Sequence, residues 1–299
     1  MAKPRVGMIG MGIMGSAMAA NLMRAGFEVI GYDALAACRR RHRKAGGIVA
    51  RNSGEVAVSA NVTITSLPSA EALLQVANEI AKAKHVRKTI VETSTLPIPV
   101  KEAARRRLAA AGVTLLDCPL SGTGAQAKVK DLVVYTSGDT GEIKKLKALF
   151  AGFTRAVHYV GAFGNGSRMK YVANLLVAIH NVATAEAMVL GIKAGLPPQL
   201  IFDLIKTGAG NSRIFELRAP MMVKNDYGAP TMKIAVWQKD MDVIGGYARK
   251  IKVPTPMFDA SSAIYTKARK SGYDDQDTAA VCAVLEKMAG VKRSRAKKR

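Results

Sequence analysis

Short apolar runs, rich in β-branched residues, recur through the first half of the chain. Helical segments fall between most of these runs, for example at residues 70–80 and 100–111. This alternation predicts a mostly parallel sheet with helices on both faces, whose ligands bind beyond the carboxyl ends of the strands. The predicted strands are residues 6–9, 29–32, 62–66, 89–92, 113–116, 132–136 and 157–160.

A glycine-rich turn joins the first predicted strand to a helix. Gly10, Gly12 and Gly15 form a G-x-G-x-x-G motif, and Asp33 follows 18 residues after Gly15, at the end of the second predicted strand. In dinucleotide-binding units the first glycine permits a tight turn. The second lets backbone N–H groups approach a pyrophosphate, and the third lets the helix pack close to the strand. This order favours a dinucleotide site over a plain βα turn. The residues expected to bind the cofactor here are Gly10, Met11, Gly12, Ile13, Met14, Gly15 and Asp33.

The pattern changes after Gly166. Residues 169–193 carry apolar side chains at helical spacing without a proline, and Gly195 followed by Pro197 ends this long predicted helix. Residues 198 to 289 are typical of further helices. We therefore predict an α/β Rossmann-type N-terminal domain with an all-α C-terminal domain. The predicted boundaries are 1–163 for the dinucleotide-binding domain, 164–194 for the long connecting helix, 195–290 for the all-helical domain and 291–299 for a basic tail.

The composition is that of a globular enzyme. Of the 299 residues, 49% are hydrophobic and 22% are charged, and no run of 18 uninterrupted apolar residues predicts a membrane span. The first predicted strand begins so close to Met1 that we expect no leader. The cysteines Cys38, Cys118 and Cys282 are far apart and odd in number, so we expect neither disulfides nor a metal site. We expect a cytoplasmic protein.

The formal net charge of +23 is unusual, and nucleic-acid-binding proteins share this feature. However, six of the cations lie within residues 292–299, and aromatic residues, which stack on bases, make up only 5% of the chain. A basic surface also raises the local concentration of small acids and dinucleotides. We therefore expect no nucleic-acid partner, and we predict that residues 291–299 are disordered and dispensable for catalysis.

Two polar residues stand at the start of the long helix. Lys170 and Asn174 are four residues apart and project from the same side, and Gly164 and Gly166 before them allow close approach of a backbone or a ligand. A buried lysine beside an asparagine loses part of its proton affinity and suits proton exchange with a hydroxyl or carbonyl. A solvated helix start is the alternative interpretation.

Two loops after predicted strands offer further polar groups. Residues 117–124 contain small residues with free N–H groups, and the hydroxyls of Ser121 and Thr123 would add donors for a substrate carboxylate. The alternative is a glycine-rich loop without a ligand. Residues 93–95 place hydroxyls at a strand end, where they either cap the next helix or touch the cofactor.

Taken together, these motifs resemble the β-hydroxyacid dehydrogenase family, which includes 3-hydroxyisobutyrate dehydrogenase, tartronate semialdehyde reductase and L-threonate dehydrogenase. The resemblance covers about residues 5 to 290 and rests on four motifs in the family's order. The matches are residues 10–15 with G-x-G-x-M-G, residues 117–122 with the D-x-P-x-S-G-G loop, residues 164–174 with G-x-G-x-x-x-K-x-x-N-N, and Lys239-Asp240 with the C-terminal K-D pair.

Two positions depart from the family pattern. Thr123 stands where a second glycine is usual, so the expected substrate pocket gains a methyl and a hydroxyl. Ala173 replaces the first asparagine of the N-N pair, whereas Asn174 keeps the one on the lysine's face. Residues 210–215 are more similar to the L-threonate dehydrogenase branch, which favours a sugar-derived hydroxy acid.

The resemblance implies an NAD(P)-dependent dehydrogenase that interconverts a small 3-hydroxy acid and its semialdehyde or keto form. Lys170 would act as general acid and base, and Asn174 would orient the lysine and the substrate. Lys239 would close the site from the helical domain, and Thr95 falls at the nicotinamide-side threonine. The residues implied to bind substrate are Ser121, Gly122, Thr123, Lys170, Asn174 and Lys239, and those implied to bind the cofactor beyond the glycine turn are Leu67, Pro68, Thr95 and Lys239.

Asp33 favours NAD as the cofactor, with NADP as the alternative. A carboxylate there accepts hydrogen bonds from the adenosine ribose and repels a 2′-phosphate. Four arginines follow within a few turns, and one of them could bind that phosphate: Arg39, Arg40, Arg41 and Arg43. Because residues 39–41 point in three directions around a helix, we expect them to line a solvated face.

The resemblance also implies a homo-oligomer, either a dimer or a tetramer with packed helical domains, and no metal. A non-catalytic dinucleotide-sensing or nucleic-acid-associated protein on the same fold is the alternative. Loss of Lys170 or Asn174 would favour that alternative, and both residues are present.

Overall fold

The computed structural model describes residues 4–83 and 88–293, and the chain divides into two compact units, Met1–Lys170 and Tyr171–Arg299. The boundary falls within the long helix expected over residues 164–194. This helix is observed at Asn165–Lys193, so it begins in the N-terminal unit. Residues 294–299 of the basic tail lie outside the described residues, and their predicted disorder stays a prediction.

Within the described residues, the N-terminal unit is built on a six-stranded parallel sheet. Its strands are β1 (Val6–Ile9), β2 (Val29–Tyr32), β3 (Ile48–Val49), β4 (Val62–Thr65), β5 (Thr89–Glu92) and β6 (Thr114–Asp117). The strand order is β3-β2-β1-β4-β5-β6, which is the order of dinucleotide-binding folds, and it reverses between β1 and β4. All residues of β1, β4 and β5 are buried, as expected for parallel strands covered on both faces.

Helices connect these strands and cover both faces of the sheet. They are α1 (Ile13–Arg24), α2 (Ala36–Lys44), α3 (Ser53–Ser59), α4 (Ala70–Lys82) and α5 (Ile98–Ala109). The side chains of β1 alternate between the faces: Met8 packs in one cluster with Leu22 of α1, whereas Ile9 packs in a second cluster with Leu73 of α4. The predicted α/β fold class is confirmed.

A second sheet, three-stranded in the described residues, holds the last two predicted strands and corrects the expectation that they extend the main sheet. Its strands are β7 (Leu120–Ser121), β8 (Val133–Thr136) and β9 (Ala156–Tyr159), with α6 (Gly124–Lys128), α7 (Thr140–Lys145) and α8 (Lys147–Phe153) between them in sequence. Asp117 at the end of β6 pairs antiparallel with Ser137 just after β8. Because β8 reaches β6 in the opposite direction, it cannot continue a parallel sheet.

The described part of the C-terminal unit contains helices and no β-strand, as predicted. After α9 (Asn165–Lys193) these are α10 (Pro198–Ile205), α11 (Arg213–Lys224), α12 (Ile234–Lys250), α13 (Pro256–Lys270), a 3-10 turn (Thr278–Ala280) and α14 (Val281–Met288). In its interior, Asn181 of α9 donates hydrogen bonds to Tyr265 Oη at 2.7 Å and to Thr278 O at 3.0 Å.

By length and composition alone, α9 could cross a membrane. Its apolar window has a mean hydropathy of 1.7, and 39% of that window is buried inside the protein. Asn181 and Thr184 interrupt its apolar run, so uninterrupted runs in the sequence do not predict this span. The core helix of a soluble protein passes the same test when most of it is buried, and in α9 the side chain of Asn181 is buried and hydrogen-bonded.

Part of the predicted tail is fixed to the C-terminal unit, which corrects the expected start of the disordered segment. Arg293 Nε donates to Glu286 Oε1 at 2.6 Å, and the same guanidinium donates to Met222 O at 2.9 Å. The carbonyl belongs to the last turn of α11, where a helix favours cations. The Glu286 side chain is only 7% exposed, so Arg293 neutralises a buried carboxylate. A run of cations in sequence does not reveal which one has an acidic partner.

Replacement of Arg293 should destabilise the protein. We expect Arg293→Ala to lower the free energy of unfolding by about 2–4 kcal/mol, because it leaves the Glu286 carboxylate buried without its cation. Urea unfolding followed by circular dichroism measures the change. Lys292→Ala, which removes the exposed neighbouring cation, is the control and should cost less than about 0.5 kcal/mol. Equal effects of the two substitutions would contradict the anchoring role of Arg293.

Candidate functional site

The three glycines of the turn between β1 and α1 have different surroundings. Gly10 has a φ of +86°, and a Cβ there would lie 2.1 Å from Ser66 O. A Cβ on Gly15 would lie 1.9 Å from Gly10 O, so only glycine lets the helix approach the turn. Gly12 is exposed, and a Cβ there would meet no described protein atom within 4 Å. The space beside Gly12 is therefore open to a ligand.

The start of α1 has the properties of an anion site. Among the described residues, no side chain caps the helix at Gly12 and no acidic residue lies in its first turn. Ile13 is 62% exposed, whereas Met11 is buried and Met14 packs against the core. Backbone N–H groups and the helix dipole at such a position favour a phosphate or pyrophosphate. These observations fit the dinucleotide that the sequence motif predicts.

Asp33 follows β2 and is held at the glycine turn. Its Oδ2 accepts a hydrogen bond from Met11 N–H at 2.6 Å, and its Oδ1 accepts one from Leu35 N–H at 2.8 Å. Arg39 Nη1 donates to Asp33 O at 2.5 Å, and Arg41 Nη2 lies 3.4 Å from Met11 O. Arg39 therefore contacts the backbone of Asp33 and Arg41 that of Met11, while Arg40 and Arg41 are exposed, as expected for a solvated face.

The loops that follow β4 and β5 are tied to each other. Leu67 N–H donates to Ser94 Oγ at 2.7 Å, and Ser94 N–H in turn donates to Glu92 Oε1 at 2.8 Å. Leu67 is buried, Pro68 is exposed and Thr95 is half-buried. The predicted cofactor residues Leu67, Pro68 and Thr95 thus follow the ends of β4 and β5, at the edge where ligands of parallel sheets bind.

The loop around β7 contains the predicted carboxylate-binding residues. Ser121 ends β7 and is half-buried, and Gly122 has a φ of +136°, a conformation that favours glycine. Thr123 forms the capping box of α6: its N–H donates to Gln126 Oε1 at 3.0 Å, and its Oγ1 accepts from Gln126 N–H at 3.4 Å. The Thr123 groups expected to bind substrate are therefore engaged with Gln126.

Lys170 lies near the start of α9 and is only 8% exposed, so the alternative of a solvated helix start is wrong for this residue. The start of α9 packs closely against β6 and β8 of the N-terminal unit. A Cβ on Gly166 would lie 2.6 Å from Asp117 O and 2.7 Å from Tyr135 O, so the approach requires glycine. Ser167, one turn before Lys170, donates its backbone N–H to Asp117 Oδ2 at 2.8 Å.

In the C-terminal unit, Asp240 connects two of the predicted site residues. Asn174 Nδ2 donates to Asp240 Oδ2 at 3.0 Å, and Lys239 Nζ lies 3.3 Å from Asp240 Oδ1. Asn174 is 4% exposed and Asp240 is 7% exposed. From the sequence, Asp240 was predicted only as half of a K-D pair and not as a site residue. Its position next to Lys239 was the available signal.

Comparisons with known proteins agree with this geometry. The model for the NAD binding domain of 6-phosphogluconate dehydrogenase matches residues 5–161, and that for NAD-binding of NADP-dependent 3-hydroxyisobutyrate dehydrogenase matches residues 164–285. L-threonate dehydrogenase from Cupriavidus necator is 34% identical over 94% of this chain and 95% of its own length. The chain belongs to the β-hydroxyacid dehydrogenase family.

Further relatives extend the comparison across the chain. Mitochondrial 3-hydroxyisobutyrate dehydrogenase from Mus musculus is 31% identical over 93% of this chain and 86% of its own length. The solved structure of 3-hydroxyisobutyrate dehydrogenase from Salmonella typhimurium has a TM-score of 0.85 and 27% identity, covering 94% of this chain and 100% of that chain. This β-hydroxyacid dehydrogenase family member therefore uses NAD(P), which the open space at Gly12 and the uncapped start of α1 accommodate.

Substitution of Gly12 should separate cofactor binding from folding. We expect Gly12→Ala to raise the Kd for NADH about tenfold or more, equivalent to roughly 1.4 kcal/mol, because the new methyl group occupies the open space without touching the protein. The melting temperature should stay within about 2 °C of the wild-type value. Fluorescence titration and thermal unfolding measure the two quantities.

Gly246→Ala is the matched control for that experiment, since a Cβ there also meets no described atom within 4 Å. It should leave the Kd for NADH unchanged. A Gly12→Ala variant that binds NADH as tightly as the control would show that no ligand approaches the turn at this residue.

Proposed function

We propose that this β-hydroxyacid dehydrogenase interconverts a small 3-hydroxy acid and its semialdehyde or keto form, with Lys170 as the general acid and base. The observation that carries the proposal is the burial of Lys170 on a helix fixed to the carboxyl end of β6, in the unit that carries the glycine turn. The names of the relatives, L-threonate and 3-hydroxyisobutyrate dehydrogenases, support the substrate class. A non-catalytic sensor is not favoured, because both Lys170 and Asn174 are retained.

The residues divide the work in the following way. NAD(P), when bound, supplies or accepts the hydride. Ser121 and Gly122 hold the substrate carboxylate, and Thr123 joins them only if Gln126 releases its capping contacts. Lys170 donates a proton to the forming alkoxide in reduction and accepts it in oxidation.

Asn174 and Lys239 complete the proposed set of site residues. Asn174 orients the reactants and carries no proton itself. Asp240 accepts a hydrogen bond from Asn174 and pairs with Lys239, so it fixes both side chains within the C-terminal unit. We therefore add Asp240 to the proposed site as a positioning residue.

A substrate screen tests the proposed reaction class. C3 and C4 hydroxy acids, including L-threonate and 3-hydroxyisobutyrate, are offered with NAD or NADP, and the matching semialdehydes are offered with the reduced cofactors. Absorbance of NAD(P)H should change with at least one of these compounds. If the pure protein binds NADH but turns over none of them, the proposed substrate class is wrong.

Lys170→Ala should remove turnover while leaving cofactor binding intact. A positioned acid–base group contributes about 10² to 10⁴ in rate, so we expect kcat to fall by that factor. The Kd for NADH should stay near the wild-type value, since the glycine turn and Asp33 are distant from Lys170 in sequence and belong to other elements, at α1 and β2. Lys170→Arg should not restore activity, because the pKa of arginine is too high for proton exchange.

Lys144→Ala removes an exposed lysine of the same unit and serves as the control for Lys170→Ala. It should retain wild-type kcat. Near-normal turnover by Lys170→Ala would contradict the proposed mechanism and the assignment of the site residues.

The cofactor preference follows from the surroundings of Asp33. The carboxylate disfavours a 2′-phosphate, whereas Arg41, next to the glycine turn, favours one. We infer that the carboxylate prevails, because Asp33 Oδ2 is held at the turn by Met11 N–H and Oδ1 by Leu35 N–H, while Arg41 is exposed. The protein then prefers NAD and accepts NADP less well.

We expect kcat/KM to be higher with NAD than with NADP. Asp33→Asn should narrow this difference, and Arg41→Ala should reduce kcat/KM with NADP more than with NAD. Arg43→Ala, which removes an exposed arginine of the same helix, should change neither value. A tenfold preference of the wild-type protein for NADP would refute this assignment.

We also infer that the protein is a soluble, cytoplasmic homo-oligomer. Support for an oligomer comes from large apolar side chains that the C-terminal unit leaves exposed. Val172 is 56% exposed, Leu176 is 47% exposed and Leu190 is 74% exposed, all on α9. Exposed apolar patches of this kind mark interaction surfaces. Light scattering coupled to size-exclusion chromatography distinguishes the proposed dimer or tetramer from a monomer.

A further inference from the structure

Three charged side chains form a fully buried triad in the N-terminal unit. The register of β5 and β6 places Glu92 opposite Asp117, so two carboxylates stand side by side at the strand ends. Lys101 of α5 inserts its ammonium between them, 2.5 Å from Glu92 Oε2 and 2.8 Å from Asp117 Oδ1. All three side chains are 0% exposed. We call Glu92, Lys101 and Asp117 the buried triad.

The three groups of the triad depend on one another electrostatically. Burial alone would lower the pKa of Lys101, but the carboxylates of Asp117 and Glu92 outweigh it and raise the pKa above its ordinary value. Burial and the negative Asp117 raise the pKa of the neighbouring Cys118 thiol. Removal of any one of the three groups would leave a buried charge without its partner. We call the triad, together with the hydrogen bonds that its carboxylates accept, the ionic joint.

One end of the buried triad holds the start of α9. Asp117 Oδ1 accepts a hydrogen bond from Ser167 Oγ at 2.8 Å, and Asp117 Oδ2 accepts the backbone N–H of Ser167 at 2.8 Å. Ser137 Oγ, which donates to Asp117 O at 2.9 Å, also accepts Gly166 N–H at 3.0 Å. The Asp117 carboxylate thus faces the N-terminus of α9, where an acidic side chain is favourable. Lys170 lies one turn further along.

The other end of the buried triad holds the loops beside the glycine turn. Glu92 Oε1 accepts Ser94 N–H at 2.8 Å, and Ser94 Oγ accepts Leu67 N–H at 2.7 Å. The loops that carry the predicted cofactor residues Leu67 and Thr95 are therefore connected, through polar contacts shorter than 3 Å, to the helix that carries Lys170.

We propose that the buried triad is a positioning device that fixes the start of α9, and with it Lys170, relative to the loops after β4 and β5. It touches neither substrate nor cofactor and acts on kcat rather than on cofactor affinity. The proposal rests on the proposed role of Lys170. Misplacement of a catalytic group by about 1 Å can cost about a hundredfold in rate, so a loosened joint has a measurable effect.

Ser167→Ala is the most direct test, because it removes one hydrogen bond of the joint and leaves all three charges paired. Truncation of Lys101 would instead leave two buried carboxylates facing each other and could prevent folding. Thr154→Val is the matched control: it removes a buried hydroxyl that donates to Phe150 O at 2.8 Å in the same unit, outside the joint. Both variants are measured for kcat, for the Kd of NADH and for melting temperature.

We expect Ser167→Ala to lower kcat about tenfold or more while the Kd for NADH stays within about twofold of the wild-type value. Thr154→Val should keep kcat within about twofold, although both variants lose a similar amount of thermal stability. A kcat for Ser167→Ala within twofold of the control, or a loss of kcat that the control shares, would overturn the proposal.

A double-mutant cycle adds a second test. Asp117→Asn and Ser167→Ala act on the same joint, so the double variant should lose little more kcat than the worse single variant. If the fold-decrease in kcat of the double variant equals the product of the two single decreases, the residues act independently. That result would contradict the proposal.

Amide hydrogen exchange separates failure of this proposal from failure of the proposed function. In Ser167→Ala and Asp117→Asn, the amides of residues 165–170 should exchange faster than in the wild-type protein and in Thr154→Val. This readout needs no turnover. Unchanged exchange would refute the positioning role even if the enzyme is a hydroxyacid dehydrogenase. If exchange is faster in these variants but the protein turns over no hydroxy acid, the positioning role is supported and only the proposed reaction is refuted.

Discussion

The ammonium of Lys101, held between the carboxylates of Glu92 and Asp117, is the contact on which the functional part of the N-terminal unit depends. Parallel pairing of β5 and β6 brings the two acids together, and in a buried setting they could not both remain charged without a cation. The two carboxylates that contact Lys101 also accept hydrogen bonds. They accept them from Ser94 on one side and from Ser167 on the other.

The sheet supplies the second constraint. The strand order reverses between β1 and β4, which opens the carboxyl edge of the sheet where the glycine turn begins. Gly10 lets the turn pack against Ser66 O. Among the described residues, the open position at Gly12 and the uncapped start of α1 leave the first N–H groups of the helix without a side-chain cap. In the proposed function, backbone geometry forms the cofactor site, whereas side chains form the site of proton transfer.

Local features were predictable from the sequence, and long-range pairings were not. Residues 6–9, 29–32 and 89–92 were predicted as strands and are observed at the same bounds, because β-branched runs determine local conformation. The pairing of β8 with β7 depends on chain direction, which periodicity does not contain. Lys101 lies in a segment that was predicted only as a helix, residues 100–111. Its burial depends on contacts with the side chains of β5 and β6, which helical periodicity does not predict. The anchoring of Arg293 and the capping box at Thr123 were missed for the same reason: each depends on a partner that no local pattern identifies.

The most direct test measures hydride transfer and its dependence on Lys170 in one experiment. The hydroxy acid with the highest kcat/KM is prepared with deuterium on its hydroxyl-bearing carbon and is mixed with NAD and either wild-type protein or Lys170→Ala. We expect deuterium to appear in the NADH formed by the wild-type protein. We expect Lys170→Ala to transfer it about 10² to 10⁴ times more slowly. Absence of deuterium from the reduced cofactor, or its transfer by Lys170→Ala at the wild-type rate, would contradict the account.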